Sequence, residues 1–397
     1  MFHCDVRLGQ SAVRDFLAPQ CVLNGDGAAK KTGEALRTWG VGSGRALVVC
    51  DRFLFDSGAV TPLLDGLQTA GFDVDVFAEV TREPTLEDAE AAATRARRVK
   101  PATVIGVGGG SSMDLAKITA LLATNDGPVE AHIGVDLPEQ PPLPFALVPT
   151  TAGTGAETTR ISMLAASSGK RIVSHRMLVP LVAVLDVDLV MTLPASVTSA
   201  TGMDALTHAT ESFLSTSSSA LSASMSLRAA QLLSEWLPIA YVQPDNRKAR
   251  RATLYGAFLA GLSLNAGVVL GHSMAYTLAN RAHLAHGVTT AMALPFCLAY
   301  NASAEVEGSD QLAMSLTGGR YSDLRSAAET LVALNDRLGI PASLSTVGIC
   351  SPDVGPMAQE CTTKYPRPAN PVAMTDERVL ALYKAWFTRD LDAAWAV

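Results

Sequence analysis

A run of glycines between a strand and a helix is the feature that most constrains the fold of this chain. The run, GGGSS at residues 108–112, follows the apolar segment 103–107 and precedes MDLAK at 113–117, which has helical spacing. Glycines let a backbone approach a ligand closely, and the helix that follows offers unpaired N–H groups and a positive dipole end. Because the run is neither GxGxxG nor a P-loop, it indicates either a phosphate cradle or a plain tight turn.

Strand-like and helix-like segments alternate through the first half of the chain. Short apolar runs predict buried strands, and the longer stretches between them have helical periodicity. The expected strands are 46–50, 74–77, 103–107, 144–149 and 181–186, and the expected helices are 57–70 and 85–99. Repeated strand–helix–strand order predicts a parallel, doubly wound, Rossmann-like sheet.

The second half of the chain has a different pattern of apolar residues. Long amphipathic segments dominate it, and β-branched clusters are almost absent, which predicts helices. These segments are 204–216, 219–240, 247–267, 325–338 and 376–395. The expected fold class is therefore α/β plus all-α, with a dinucleotide-binding α/β domain at residues 1–190 and a helical metal- and substrate-binding domain at 191–397.

Composition narrows the classes of partner. The 397 residues carry a formal net charge of −7 and contain no lysine and arginine block, so neither nucleic acid nor an anionic membrane surface is expected as a partner. No stretch of about 18 apolar residues suggests a membrane span. The six cysteines are scattered without a CxxC pair, which favours a reducing compartment, and a cytoplasmic location is expected.

Two further segments support a nucleotide site. Asp51 directly follows the strand at 46–50, where a carboxylate accepts hydrogen bonds from ribose hydroxyls and repels a 2′-phosphate, favouring NAD over NADP. The alternative is an ordinary turn aspartate. The segment VPTTAGTGAETT at 148–159 places many hydroxyls and glycines just past another strand, where open α/β sheets bind ligands.

Histidines in the second half indicate a metal site. Asp204 and His208 stand at i and i+4, so on a helix both side chains share one face. His272 and His286 are fourteen residues apart, and one continuous helix would separate them by about 21 Å. They converge only if the chain turns between them, and the segment NRAH at 280–283 offers such a break.

Three imidazoles and one carboxylate suit Fe²⁺ or Zn²⁺, and spacing does not choose between these metals. Spacing also leaves His283 as an alternative to His286. A surface Asp–His pair is the alternative interpretation of Asp204 and His208 taken alone.

Four motifs in order closely resemble the iron-containing, or group III, alcohol dehydrogenases. They are the segments 108–117, 149–157, 202–211 and 271–287, and the resemblance extends from about residue 16 to residue 387. It implies that Asp204, His208, His272 and His286 are the metal ligands. It also implies a set of positions that contact the cofactor, namely Asp51, Gly109, Gly110, Ser111, Asp114, Thr150, Thr151, Thr154 and Lys170.

This chain departs from the family at Tyr276. Many members carry a second histidine there, four residues after the third ligand. A phenol at this position either relays a proton or forms a wall of the pocket, and the sequence leaves both open. At residue 156 an alanine replaces the usual serine.

The resemblance implies an NAD(P)-dependent, metal-dependent alcohol dehydrogenase. Hydride would pass between the nicotinamide and a small alcohol, aldehyde or ketone bound to Fe²⁺ or Zn²⁺, in a homo-oligomer of two or more chains. The alternatives are a maleylacetate reductase, a phospho-substrate dehydrogenase or dehydroquinate synthase-like lyase of the same fold, and a nucleotide-binding module without activity. The full set of four ligands argues against the first and last of these, and the scarcity of fixed cations in 260–300 argues against the second.

Overall fold

The alternation of strands and helices is present in the structure, a computed structural model that describes residues 6–166 and 169–397. The chain forms two units. One comprises residues 17–192, and the other comprises residues 6–16 together with 193–397. The fold class expected from the sequence, α/β plus all-α, is confirmed.

The unit of residues 17–192 contains a six-stranded parallel sheet. In chain order its strands are β1 (Cys21–Asn24), β2 (Gly44–Val49), β3 (Phe72–Phe77), β4 (Thr103–Gly108), β6 (Phe145–Pro149) and β9 (Val182–Leu185). Their order across the sheet is β1-β9-β6-β4-β2-β3. A second sheet has three strands, β5 (Gly134–Val135), β7 (Ile161–Ala166) and β8 (Gly169–Ser174). Their order across this sheet is β5-β8-β7.

Helices cover both faces of the six-stranded sheet. They are α1 (Thr32–Thr38), α2 (Arg52–Asp56), α3 (Thr61–Thr69), α4 (Leu86–Val99) and α5 (Gly110–Leu122). Alternate residues of β2 enter two different cores: Leu47 and Val49 pack with α4 and α5, whereas Ala46 and Val48 pack with α1 and α3. This double burial explains why the central strands are continuous apolar runs.

The unit that contains residues 193–397 is helical in its described part. Its helices are α6 (Ala195–Leu214), α7 (Ala220–Val242), α8 (Arg247–Ser263), α9 (Leu270–Ala282), α10 (His286–Asn301), α11 (Ser309–Thr317), α12 (Leu324–Arg337), α13 (Val354–Lys364), α14 (Asp376–Thr388) and α15 (Leu391–Trp395). Across the described residues no single helix is long and apolar enough to cross a membrane; one pair, Arg247–Ala266 with Leu270–Ala282, passes by length and composition but is bent by 107°.

Several boundaries differ from the sequence-based expectation. The helix expected at 57–70 is the shorter α3, and an additional short helix that was not predicted, α2, precedes it with its N-terminus capped by the Asp51 side chain. Helix α6 begins nine residues before 204, directly after Pro194. The segment 376–395 is broken at Arg389, whose backbone is left-handed with φ of 60°. Helix α10 lacks an amphipathic period because it is buried almost throughout, so its sequence gives little periodic signal.

Candidate metal centre and nucleotide cradle

Helix α6 presents an acid, a histidine and a second acid on one face. Asp204, His208 and Glu211 follow the spacing i, i+4 and i+7, which places their side chains in one row along the helix. All three are buried, and Glu211 is completely shielded from solvent. Buried charged groups are costly unless they are paired or bind a metal, so this row marks a functional face of the helix.

The turn expected between the two distant histidines is present. Helix α9, which carries His272 in its first turn, ends at Ala282, and His283 caps it in the left-handed region with φ of 50°. Ala285 then precedes α10, which begins at His286. This reversal brings His272 and His286 together, with ring centroids 5.4 Å apart, whereas His283 is exposed at the helix end.

The ligand atoms offered by Asp204, His208 and His272 all lie within 4.8 Å of one another. The rings of His208 and His272 stack at 4.9 Å, and His286 Nε2 lies 3.7 Å from Asp204 Oδ1. Each of these groups can donate a lone pair. The cluster is therefore compact enough for one cation, with His286 at its more exposed side.

A glycine allows the two helices to approach at this point. A Cβ atom added at Gly287 would lie 2.0 Å from the carbonyl oxygen of Ala200 on α6 and 3.2 Å from the Asp204 Cβ. No side chain fits there without moving a helix backbone. The absence of a side chain at Gly287 thus sets the distance between His286 and Asp204.

His272 is oriented by Glu211. The Glu211 carboxylate accepts a hydrogen bond from the backbone N–H of His272 at 3.1 Å and a second, short one from Nδ1 of the same ring. Since a carboxylate accepts but does not donate, Nδ1 carries the proton and Nε2 keeps its lone pair. Nε2 is buried and makes no hydrogen bond to any described residue.

A buried acceptor without a partner costs roughly 1–3 kcal/mol, and a bound cation would remove that cost. Metal-binding histidines usually donate their second ring N–H to a carboxylate or carbonyl, as His272 does to Glu211. The donor set therefore fits a divalent metal that accepts nitrogen and oxygen ligands.

The electrostatic balance at Asp204 favours an ionised carboxylate. Burial acts to raise its pKa, but the nearby imidazoles of His208, His286 and His272 and the Thr290 hydroxyl outweigh burial and hold the pKa below its usual value. The Thr290 hydroxyl donates to Asp204 Oδ1 at 3.1 Å. An ionised Asp204 is the form that binds a metal.

Tyr276 lies beside the cluster, as its position one turn after His272 predicts. Its ring meets the His272 ring edge-on at 6.2 Å and stacks on the His286 ring at 5.6 Å. Burial raises the pKa of the Tyr276 phenol, although Arg367, which is hydrogen-bonded to the hydroxyl, opposes this shift. A raised pKa makes the phenol a poorer proton relay near neutral pH and favours its role as a wall.

The glycine run forms a narrow turn from β4 into α5. Gly108 has φ of 145°, and a Cβ atom there would lie 2.4 Å from the Ser112 hydroxyl. Gly109 precedes the first helical residue, so the N–H groups of the first turn of α5 point out of the turn. The Thr150 N–H donates to the Gly108 carbonyl at 2.9 Å, which joins the turn to the loop after β6.

The threonines of the loop after β6 line the glycine turn. A Cβ atom added at Gly109 would lie 3.6 Å from Thr151, and one added at Gly110 would lie 3.0 Å from Thr154. Both loops follow the carboxyl ends of neighbouring strands, where open α/β sheets bind ligands. The structure therefore brings together glycines and threonines about 40 residues apart in a cradle of the kind that accepts a pyrophosphate.

Asp51 and Ser111 border this cradle, and each already makes a hydrogen bond within the protein. Asp51 Oδ1 accepts from the Leu54 N–H at 2.8 Å, while Oδ2 faces Gly108. The Ser111 hydroxyl donates to the Arg82 carbonyl at 2.5 Å. Asp51 thus keeps an oxygen for a ligand, whereas Ser111 must give up or share its bond to contact one.

Asp114 and Lys170 lie away from the glycine turn, toward the three-stranded sheet. Asp114 Oδ2 accepts from the Met163 N–H at 3.0 Å on β7. Burial raises the pKa of Asp114 to about 6, although the charges of Lys117 and Lys170 oppose the shift. Lys170 is exposed on β8, so its ammonium is free of the core and accessible to solvent.

A nucleotide cradle on a parallel sheet and a cluster of three histidines and an aspartate are the features of a nicotinamide- and metal-dependent oxidoreductase. The family model for iron-containing alcohol dehydrogenase matches residues 19–187, and the model for the C-terminal part of Fe-containing alcohol dehydrogenases matches residues 198–387. The chain belongs to the iron-containing alcohol dehydrogenase family. Its class as an NAD(P)- and metal-dependent enzyme acting on CH–OH groups is thereby confirmed.

Individual relatives agree with this membership. Long-chain-alcohol dehydrogenase 1 of Geobacillus thermodenitrificans is 35% identical over 87% of this chain and 90% of its own length. The crystal structure of a 1,3-propanediol oxidoreductase superposes with a TM-score of 0.88 at 30% identity, covering 95% of this chain and all of the other. Sulfoacetaldehyde reductase from Bifidobacterium kashiwanohense, solved in complex with NAD⁺, superposes with a TM-score of 0.87 at 27% identity, covering 96% of this chain and all of the other.

Two residues at the metal cluster were missed from the sequence. Glu211 continues the row of Asp204 and His208, so the i, i+4, i+7 spacing was a usable signal. Arg367 lies 91 residues after Tyr276 in a proline-rich loop, and no local pattern connects it to the cluster. Only the folded chain shows that its guanidinium reaches the Tyr276 ring.

Proposed function

We propose that this enzyme interconverts a small alcohol and its aldehyde or ketone, with Asp204, His208, His272 and His286 holding one divalent metal ion. The observation that carries the ligand assignment is the buried, unpartnered Nε2 of His272, aimed into a cluster of oxygen and nitrogen donors. His286 is preferred over His283 because it lies 3.7 Å from Asp204 while His283 is exposed.

When bound, the metal supplies a Lewis acid for the substrate oxygen and the nicotinamide supplies or accepts the hydride. The chain's own residues prepare the site for this chemistry. Glu211 fixes the tautomer of His272, and the helix contact at Gly287 fixes the spacing of the donors. Tyr276 covers one side of His286 and restricts where a substrate can lie.

The cofactor contacts expected from the family resemblance form the second part of the proposal. The backbone of Gly109 and Gly110 would contact the pyrophosphate, with Thr151 and Thr154 lining it. Asp51 Oδ2 would accept a ribose hydroxyl, which favours NAD(H) over NADP(H). We assign Ser111, Asp114, Thr150 and Lys170 to the same site on the resemblance alone.

Four finer points go beyond what family membership decides. Iron and zinc both suit the donor set. A homo-oligomer is expected from the family resemblance, and a cytoplasmic location from the scattered cysteines. The names of relatives include an aldehyde that carries a sulfonate as well as neutral alcohols, so family membership leaves the charge of the substrate open.

A paired substitution tests the ligand assignment. His286→Gln and His283→Gln are compared by elemental analysis and by turnover of an aldehyde panel with NADH and NADPH, after reconstitution with Fe²⁺ or Zn²⁺. His286→Gln should weaken metal binding at least about tenfold, while His283→Gln should retain one metal per chain. Metal loss in His283→Gln alone would reverse the assignment, and full turnover by metal-free wild-type protein would refute the proposed function.

A further inference from the structure

Arg367 lies in a loop whose backbone is restricted at several points. The loop joins α13 to α14, and Pro366 and Pro368 flank the arginine. Proline fixes its own φ and disfavours helical geometry in the residue before it, so Tyr365, with φ of −126° and ψ of 50°, and Arg367 have fewer accessible backbone conformations. The side chain of Arg367 therefore starts from a restricted backbone.

Hydrogen bonds tie the same loop to the helices of the metal cluster. The Ser273 hydroxyl on α9 donates to the Tyr365 carbonyl at 2.6 Å. The Thr216 N–H donates to the Ala369 carbonyl at 2.9 Å, and the Leu270 N–H, at the start of α9, donates to the Asn370 side chain at 3.1 Å. These ties on both sides of Arg367 hold the loop against the beginning of α9.

The guanidinium of Arg367 points along α9 toward the cluster. Its Nε donates to the Ser273 hydroxyl at 3.0 Å, and its Cζ lies 5.6 Å from the centre of the Tyr276 ring, whose hydroxyl it hydrogen-bonds. The Tyr276 ring in turn stacks on His286. A fixed positive charge thus lies one aromatic ring away from a proposed metal ligand.

This charge has no carboxylate partner in the described part of the chain, where no acidic oxygen lies within 4 Å of Arg367. Arg281, in the last turn of α9, differs: it donates to Glu360 at 2.6 Å. A guanidinium has five N–H donors, and the contacts with Ser273 and Tyr276 leave several of them for a ligand.

We propose that Arg367 binds an anionic group of the substrate, so that the enzyme acts on a small aldehyde or ketone bearing a carboxylate or sulfonate, and on the matching hydroxy acid. This inference rests on the proposed function. In the reducing direction NADH gives a hydride to the carbonyl carbon and is oxidised to NAD⁺, a proton is added to the carbonyl oxygen, and the anionic group is unchanged.

The chemistry of arginine supports this class of substrate. Its planar fork matches the two oxygens of a carboxylate or sulfonate, and such charge-assisted bonds are roughly twice as strong as neutral ones. A site that is built to pair a substrate group also discriminates against analogues that lack the group. The phosphates of the cofactor carry the same kind of negative charge, so the test separates these two sources.

The first measurement uses wild-type holoenzyme and isosteric aldehyde pairs. Glyoxylate is compared with 2-methylpropanal, and succinic semialdehyde with 4-methylpentanal, since each pair differs by a carboxylate in place of an isopropyl group. We expect kcat/KM to be at least about tenfold higher for the anionic member of one pair or both. Turnover of the neutral members without any preference for an anion would overturn this inference and leave the proposed function standing.

Variants then assign the preference to one residue. Arg367→Gln should lower the ratio of anionic to neutral kcat/KM by about 10- to 100-fold, and Arg367→Lys should keep part of it because the charge remains. Arg281→Gln, in the last turn of α9 and with its charge already paired to Glu360, is the control and should leave the ratio unchanged. Metal content and thermal unfolding verify that each variant is folded.

Other outcomes contradict the inference in distinct ways. An equal loss for both members of a pair in Arg367→Gln would mean that Arg367 only positions Tyr276. A rise in KM for NADH without a change in the ratio would assign the arginine to the cofactor phosphates. No turnover of any aldehyde by metal-loaded wild type would overturn the proposed function and this inference together.

Discussion

The proposed metal centre and the proposed nucleotide cradle are built in opposite ways. The cradle is made mostly of backbone and small side chains, at two turns that follow neighbouring strands. The proposed metal centre is made of chemically specific side chains from three helices, of which Asp204, His208 and His272 are buried and His286 is partly exposed. A substitution in the metal centre should therefore weaken metal binding by removing a ligand atom. A substitution in the cradle should weaken nucleotide binding by filling the space that the nucleotide would occupy.

The largest effect is expected at His272, because its Nε2 is buried, makes no hydrogen bond and has a lone pair for a metal. His272→Ala should lose the bound metal and lower kcat/KM by at least about 10³, since a Lewis acid contributes several kcal/mol to the reaction. Elemental analysis and steady-state assays measure both quantities, with His283→Ala as the matched histidine control. Activity that survives in variant protein free of metal would contradict this expectation.

Glu211→Gln should reach the same site indirectly. Glutamine can donate to His272 Nδ1, which then moves the ring proton to Nε2, where it opposes metal binding. We expect metal affinity to fall about 10- to 100-fold. Competition with a chelator measures the affinity, and Glu157→Gln, a buried glutamate of the other unit, is the control. Equal losses in the two variants would show a general effect on folding instead.

In the cradle, Gly108→Ala should act through space and backbone conformation. The added methyl group would meet Ser112, and φ of 145° is strained for alanine. We expect KM for NADH to rise about 10- to 100-fold, with metal content unchanged. Isothermal titration with NADH provides an independent measure of affinity. Loss of metal from this variant would show that a change in the cradle also disturbs the metal centre, which would contradict this expectation.

Asp51 should decide between the two nicotinamide cofactors. Wild type should have a higher kcat/KM with NADH than with NADPH. Asp51→Asn should lower the ratio of these two values about tenfold, because it removes the negative charge that repels the 2′-phosphate. Asparagine keeps an acceptor for the Leu54 N–H, so α2 remains capped, whereas Asp51→Gly also removes the cap. A tenfold preference of wild type for NADPH would refute the assignment.

The smallest effect is expected from removing one oxygen. Tyr276→Phe keeps the ring that stacks on His286 and should retain kcat within about threefold, because the raised pKa disfavours proton relay. Tyr276→Ala should change which alcohol chain lengths are accepted. A loss of about 10² in kcat for Tyr276→Phe, with the metal retained, would place the hydroxyl on the proton path.

Residue patterns alone placed the loops of the cradle more directly than the histidines of the metal cluster, and the reason is physical. The glycine run, the threonine loop and Asp51 each follow a short apolar strand, so their place at the sheet edge follows from the fold. His272 and His286 required a turn that the sequence only permitted. Neither Glu211 as a partner of His272 nor Arg367 beside Tyr276 was predicted. The spacing places Glu211 on the same helix face as Asp204, but which side chains meet between separate elements depends on packing that local patterns do not encode.

The fold shows the same division. Short apolar runs that alternate with helical segments predicted the parallel sheet, because turn residues mark the ends of each strand. The whole of α10 was not predicted, since a helix buried on all sides has no polar face to reveal its period. The first turn of α6, where Ala195 and Ser196 are exposed, was also missed. The small sheet was also missed, because two of its strands, β7 and β8, are partly exposed and one, β5, has only two residues.

The segment from His283 to Gly287 has consequences for engineering a heat-resistant form of this enzyme. A common strategy places alanine inside helices and glycine at left-handed helix ends. Here His283 occupies a left-handed position, so glycine there should raise the melting temperature at little risk to catalysis. At Gly287, four residues later, the same strategy would fail. Alanine there favours the helix but would force α10 away from Ala200, so the enzyme should bind its metal less tightly.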